Sequence, residues 1–214
     1  MQRTAERILD VAERLVQSRG YNGFSYADVA AELNVSKPSL HYHFSGKAEL
    51  GEALVTRYAT RFAAALQAID EAGEDAPTRL NRYASLYADV LDQDRMCLCG
   101  MLAADDETLP RAMREAVMRF FDDNETWLAR VLQDGVARGL LRYEGSAADE
   151  ARLLLSALEG AMLVARPYRD PARFREAARR LLGSLSASAP PAPRAPRRST
   201  PSPAQPEPHR RRRR

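Results

Sequence analysis

The sequence predicts an all-α protein of about nine helices, on three observations. Apolar residues recur at three- and four-residue spacing along nearly everything before residue 186. Residues with helix-capping and helix-ending chemistry punctuate that pattern. No segment alternates apolar and polar residues with the period of a strand.

The elements follow in order. Ile8, Val11, Ala12, Leu15 and Val16 form one apolar stripe, with Thr4 placed to cap that helix and Gly20 to end it. Ser25-Tyr-Ala-Asp28 is a capping box that opens a short helix through Leu33. Asn34 and Val35 make a tight link. Ser36 caps a second short helix, with Pro38 in its first turn, where a missing N–H costs little. Ser45-Gly46 ends it. Lys47 begins a long helix to about residue 72, and 73–77 form a loop. The next helix, 78–92, carries Leu80, Tyr83, Ala84, Tyr87, Val90 and Leu91. Residues 96–110 are mixed, with a short helix around 102–106. Three helices remain: 111–138, ended by Gly139; 147–165, ended by Arg166-Pro167; and 171–186.

Composition sets bounds on function. A chain of 214 residues fits one large domain or two small ones and can bury a core without staples. The two cysteines, Cys97 and Cys99, are one residue apart, so no disulfide framework is implied and a reducing cytoplasm fits. The N-terminus carries charges every few residues and lacks the apolar core of a secretory signal. No apolar run approaches the ~18 residues needed to span a bilayer. The expectation is a cytoplasmic protein with no membrane partner.

The net charge of +3 misleads when taken whole. Residues 187–214 hold eight Arg and one acidic residue, Glu207, which makes them +7 and leaves the first 186 residues at −4. The first 50 residues hold six basic and six acidic side chains and balance. DNA contact must therefore come from a few placed groups, since no broadly basic face is available. Residues 187–214 also hold eight of the thirteen prolines, which predicts a disordered Pro/Arg-rich tail. Arginines 210–214 either add salt-sensitive phosphate attraction or form an extension with no evolved role.

Two short helices joined by a tight turn, behind a longer N-terminal helix, make a three-helix DNA-binding unit. The second short helix must expose small and polar residues to lie in a major groove. Ser36-Lys-Pro-Ser-Leu-His-Tyr-His-Phe44 fits. Ala30, Leu33, Val35, Leu40 and Phe44 would pin it, leaving Ser36, Lys37, Ser39, His41, Tyr42 and His43 for DNA.

The run from Gly20 to Leu50 carries a G-x-x-G-F-S element, a V-A-x-x-x-x-V-S turn, a His-Tyr-His-Phe helix end that matches Y-x-H-F at all but its first place, and a following Lys-x-x-Leu. This resembles the DNA-binding domain of the TetR family (TetR/AcrR-type) over residues 3 to about 60. His41 stands where Tyr is more usual, a departure that bears on contacts and not on the fold. The resemblance implies that Ser25 and Tyr26 meet backbone phosphates and that Lys37, Ser39 and His41 face base edges. It places Tyr42 and His43 at phosphates, and Lys47 at a helix N-terminus where amides and a cation favour an anion. Phosphate contacts position a protein; only base-edge contacts specify sequence.

The same resemblance implies three segments: a DNA-binding domain over 1–60, a helical effector-binding and dimerisation domain over 61–186, and the tail. A helix-turn-helix reads two half-sites and so needs a dimer. Leu153, Leu154, Ala157, Leu158, Gly160, Ala161, Leu181, Leu182 and Leu185 suit either a twin interface or the protomer's own core. Effector pockets are apolar with a few polar anchors, which makes Tyr83, Tyr87, Cys97, Met101, Met118, Phe120, Phe121, Trp127 and Met162 the candidates. The stretch Met96-Cys-Leu-Cys-Gly-Met-Leu-Ala-Ala104 has three readings: buried small hydrophobes, a thiol sensor at Cys97 or Cys99, or a metal site. A sensor needs a lowered pKa and exposure, and a metal would lack ligands.

The implied function is a homodimeric repressor of transcription, released from a double-stranded DNA operator by a small-molecule effector. A redox- or electrophile-sensing repressor is the alternative. An enzyme or lipid-binding protein is disfavoured: there is no Gly-rich phosphate loop, no metal set and no nucleophile–His pair. No cofactor is expected.

Overall fold

The computed structural model describes residues 2–187, so the expected disorder of the tail and the role of its arginines lie outside the described residues. The elements are α1 (Gln2–Arg19), α2 (Tyr26–Leu33), α3 (Lys37–His43), α4 (Lys47–Glu71), α5 (Ala76–Leu91), α6 (Leu98–Ala104), α7 (Arg111–Ala137), α8 (Ala147–Ala165) and α9 (Pro171–Ser184). Single 3₁₀ turns follow α6 and α8. Among the described residues there is no strand, only one antiparallel bridge between Leu141 and Ser186. No helix there is long and apolar enough to cross a membrane.

The local chemistry explains the boundaries. The Ser25–Asp28 capping box is formed, and Asn34 ends α2 in the left-handed region at φ 54°. Ser36 sits at the N-cap of α3 without a side-chain bond to the helix. Three expectations need correction. Thr4 lies inside α1, which already begins at Gln2. α5 starts at Ala76 because the Asp75 side chain accepts from Thr78 N, with Pro77 in the first turn. The short helix is Leu98–Ala104, four residues earlier than the pattern suggested, because its buried face is Leu98, Cys99 and Leu102.

α1, α2 and α3 pack around Ile8, Ala12, Leu15, Val29 and Leu40. α4 leaves this unit and runs on into a bundle with α5, α7, α8 and α9. Arg57 ties α4 to α1 through Glu13 at 2.6 Å and Asp10 at 2.8 Å. Gly51 lets α7 close in: a Cβ there would lie 2.4 Å from Met113 Sδ. At the far end of α4, Asp70 accepts from Trp127 Nε1 at 3.1 Å and pairs with Arg130 at 2.7 Å and Arg79 at 2.5 Å.

The unit and the bundle meet at the C-terminal end of α1. Gln17 O accepts from Met96 N at 3.1 Å. Tyr21 N donates to Asp105 Oδ2 at 2.7 Å, and Asn22 donates to Asp105 Oδ1 and Thr108 Oγ1. Arg166, just past α8, donates to Ser18 O and to Met101 Sδ. Gly20 has φ 81°, and a Cβ there would stand 2.8 Å from Asp105 Oδ2, so both backbone and space require glycine.

Candidate nucleic-acid interface and helical interior

α3 has one buried residue on its own length, Leu40, followed by buried Phe44 at its C-cap. Those two residues press the helix onto α1 and α2. Ser36, Lys37, His41 and Tyr42 are exposed on the other side, with Ser39 and His43 half-buried. Tyr42 is 70% exposed, and the His43 ring lies edge-on to it at 5.3 Å. His41 Nδ1 lies 3.0 Å from Ser45 O. A carbonyl partner makes Nδ1 the protonated nitrogen and leaves Nε2 for another group.

Two of the expected phosphate contacts, Tyr26 and Lys47, have their donors turned inward, and a third, the exposed Ser25, has its hydroxyl engaged by its own helix. Tyr26 donates its hydroxyl to Phe44 O at 3.0 Å, and its ring lies 4.8 Å from that of His41. Burial, and then the Glu49 charge, push its pKa up to about 12. Ser25 donates its hydroxyl to Asp28 at 2.6 Å, which holds that carboxylate below its ordinary range. Lys47 donates to Phe24 O at 2.6 Å and rests on the Tyr21 and Phe24 rings at 4.5 and 4.4 Å. Its ammonium stitches the 20–24 turn to α4 and is partly desolvated, which pulls its pKa down. In this geometry Tyr26 holds the end of α3, Ser25 caps α2 and Lys47 fixes the 20–24 turn on α4.

The bundle interior brings together Tyr83, Tyr87 and Trp127 from the expected effector set. Trp127 stacks on Tyr83 at 5.5 Å. Tyr83 hydrogen-bonds Tyr87 at 2.9 Å and donates to Asn124 Oδ1 at 3.0 Å; Asn124 donates in turn to Phe120 O at 2.7 Å. One Tyr hydroxyl hydrogen serves each bond, so Tyr87 is the donor to Tyr83. Tyr58, Phe62 and Phe120 complete the aromatic cluster. Cys97 joins its edge, 3.7 Å from the Tyr58 hydroxyl. Met162 is fully buried, and Phe121 is half-buried beside Phe120.

Two candidates fall outside. Met118 is 57% exposed on the outer face of α7, because the buried stripe there runs through Met113, Val117, Phe120, Asn124 and Trp127. Met101 lies at the α1 junction against Arg166. The sequence reading also missed Tyr58, Phe62 and Asn124. Asn124 carried a signal, since it occupies a core position of the α7 stripe with a polar side chain.

Cys97 and Cys99 are buried free thiols. Burial, and then the Glu159 charge, hold both well above the ordinary thiol value. A sensor thiol needs the reverse on both counts, so the redox alternative loses its chemical basis. Among the described residues no His, Cys, Asp and Glu group has metal-site geometry.

Comparison with known proteins follows the same division. Residues 8–54 match the family model "Bacterial regulatory proteins, tetR family", and residues 76–181 match "Tetracyclin repressor-like, C-terminal domain". A TetR-family transcriptional regulator from Agrobacterium tumefaciens is 31% identical, with a TM-score of 0.84 over 87% of this chain and 99% of its own. A TetR regulator from Legionella pneumophila is 31% identical, with a TM-score of 0.74 over 86% of this chain and 97% of its own. The nucleoid occlusion factor SlmA of Marinobacter nauticus is 29% identical over 160 residues, 72% of this chain and 80% of that protein. The HTH-type negative transcriptional regulator IcaR of Staphylococcus aureus is 38% identical over 47 residues, 22% of this chain and 25% of that protein. Both parts of the molecule thus match one kind of protein, and the chain belongs to the TetR family of DNA-binding transcriptional regulators.

Proposed function

We propose that the chain is a cytoplasmic homodimeric repressor whose α3 reads a double-stranded operator and whose helical bundle takes up a small-molecule effector. The exposed face of α3 carries this reading. Lys37, Ser39 and His41 are placed for base edges, and Ser36, Tyr42 and His43 for the flanking backbone. The first-turn amides of α2, at Tyr26 and Ala27, have no carbonyl in their own helix to bond and suit a phosphate. Fluorescence anisotropy with labelled operator, titrated over a salt series, tests it. Binding that is neither salt-dependent nor sequence-selective sinks it.

The dimer reading rests on α8 and α9. Leu154, Leu158, Leu182 and Leu185 are buried inside the protomer. Leu153, Leu163 and Val164 remain 56–62% exposed on one face of α8, and a groove of about 620 Å³ runs between that face and α9, floored by Ala161, Ala165, Ala172 and Ala177. A two-fold pairing of this face would cover them. Sedimentation of the wild type and of Leu153→Glu/Val164→Glu decides: a monomeric wild type removes the reading.

The effector reading rests on the buried aromatic cluster with its Tyr–Tyr–Asn polar centre, between α4, α5 and α7. Its route to DNA is the α1 junction, where α6 and Arg166 hold the end of α1. Release requires the effector to favour the state that does not bind DNA. Operator release by added compounds, absent in Asp105→Ala while DNA binding persists, supports the route.

A further inference from the structure

One ionisable group in the bundle is used by none of the arrangements above. Glu159 lies on α8 with its carboxyl against α6. A Cβ on Gly100 would stand 2.4 Å from Oε2, so the carboxyl rests on bare helix backbone. Its Oε1 is cut off from solvent and has no hydrogen-bond partner. Native structures leave few buried polar atoms unpaired, and each has a reason.

The groups that face it are all acids. They are Tyr58 on α4, Tyr83 and Tyr87 on α5, and Cys97 and Cys99 at α6. Burial raises every one of them, so none ionises near neutrality and none supplies positive charge. The Cys97 thiol beside the carboxyl offsets only part of the burial penalty. Arg166, two turns further along, commits its guanidinium to Ser18 O and Met101 Sδ. Burial lifts the Glu159 carboxyl to about 7, which leaves it poised between acid and carboxylate at neutral pH.

We propose that Glu159 anchors a cationic effector: an organic cation whose charge meets Oε1 and whose apolar body lies against the aromatic rings of the bundle. This rests on the effector reading above and names its chemical class. A cation supplies what the site lacks, an opposite charge for a carboxylate and a partner for aromatic faces. A neutral molecule can at most donate a hydrogen bond to Oε1 and brings no charge to balance the carboxylate, and an anion meets repulsion. Binding replaces a proton: the carboxylic acid gives up one H⁺ to solvent as the cation enters, and total charge is conserved.

Calorimetric titration of the full chain with benzyltrimethylammonium and its uncharged isostere neopentylbenzene tests the proposal. The cation is expected to bind at least about tenfold tighter than the isostere. Its affinity should rise about tenfold per pH unit below 7, with close to one proton released per cation there, and level off with no release above. Glu159→Gln should lose both the preference and the pH dependence while still binding the isostere. Equal affinities, a flat pH profile in the wild type, or unchanged cation binding in Glu159→Gln each overturn it. Should that variant fail to fold, the wild-type pH profile decides alone. Operator release by neutral or anionic compounds, with no grip on the cation, removes this proposal and leaves the effector reading standing. No binding or release by probes of any charge removes both.

Discussion

Tyr42 on α3 is 70% exposed, whereas Tyr83 in the bundle is sealed and bonded through its hydroxyl to Tyr87 and Asn124. The same side chain serves under two regimes of polarity. On α3, water satisfies whatever DNA does not, so a contact can be exchanged at little cost in stability. In the bundle the Tyr87, Tyr83 and Asn124 polar groups form one chain of bonds, and removing a member leaves its neighbour a partner short. A surface whose polar groups water can satisfy tolerates change in stability terms; an interior built on paired polar groups does not.

Four changes break or sharpen that contrast, with a fifth as their counterpart on the DNA-facing side. Leu40→Ala attacks the side of α3 that is not surface at all. It should cost about 2–5 kcal/mol of stability in urea unfolding and abolish operator binding, because α3 has no other buried residue along its length. Next comes the interior carboxyl. Glu159 ionises near its ordinary value when unfolded and at about 7 when folded. The folded state therefore binds more protons between roughly pH 4.5 and 7, and stability falls as pH rises through that window, by on the order of 3 kcal/mol. Glu159→Gln should flatten this fall, read by thermal unfolding across pH.

Asn124→Ala should cost about 1–3 kcal/mol by stranding the Tyr83 hydroxyl, in a scan that leaves operator affinity unchanged. Tyr26→Phe is the mildest. It removes the bond to Phe44 O and should cost about 0.5–1.5 kcal/mol without altering the salt dependence of DNA binding. Lys37→Ala should do the opposite, leaving stability alone while costing about 1–3 kcal/mol of operator affinity and relaxing sequence preference, the share of one base-edge contact. If Tyr26→Phe weakens binding to every DNA sequence by a similar factor as well, Tyr26 touches phosphate and does not stay turned inward on DNA.

How much was legible in the sequence follows the same line. The α2–α3 unit is local: Ser25 and Asp28, the Asn34 turn and the pinning residues all lie within twenty residues, so spacing alone places them. The direction of Tyr26 and Lys47 was not legible, since each is held by a residue that only folding brings near, Phe44 for one and Phe24 for the other. In the bundle, aromatic residues were legible as core, but Met118 and Met101 were chosen by type and not by position on the stripe. Glu159 was invisible for a related reason. Flanked by Leu158 and Gly160, it has the spacing of a solvated charge, and only α6 packing through Gly100 buries it.

The length of α4 sets the leverage that any tilt of it would have. It has 25 residues and belongs to both parts of the molecule, with its first turns stitched to α1 and its last clamped at Asp70. At 1.5 Å per residue it is about 37 Å long. Pivoting on the Asp70 clamp, a tilt of about 5° sweeps the other end through about 3 Å. That is a full hydrogen-bond length at the helix that faces DNA, obtained from a displacement near the pivot smaller than the thermal jitter of a side chain. On the proposed effector reading, a rod of this length would act as a mechanical amplifier whose gain is set by its length.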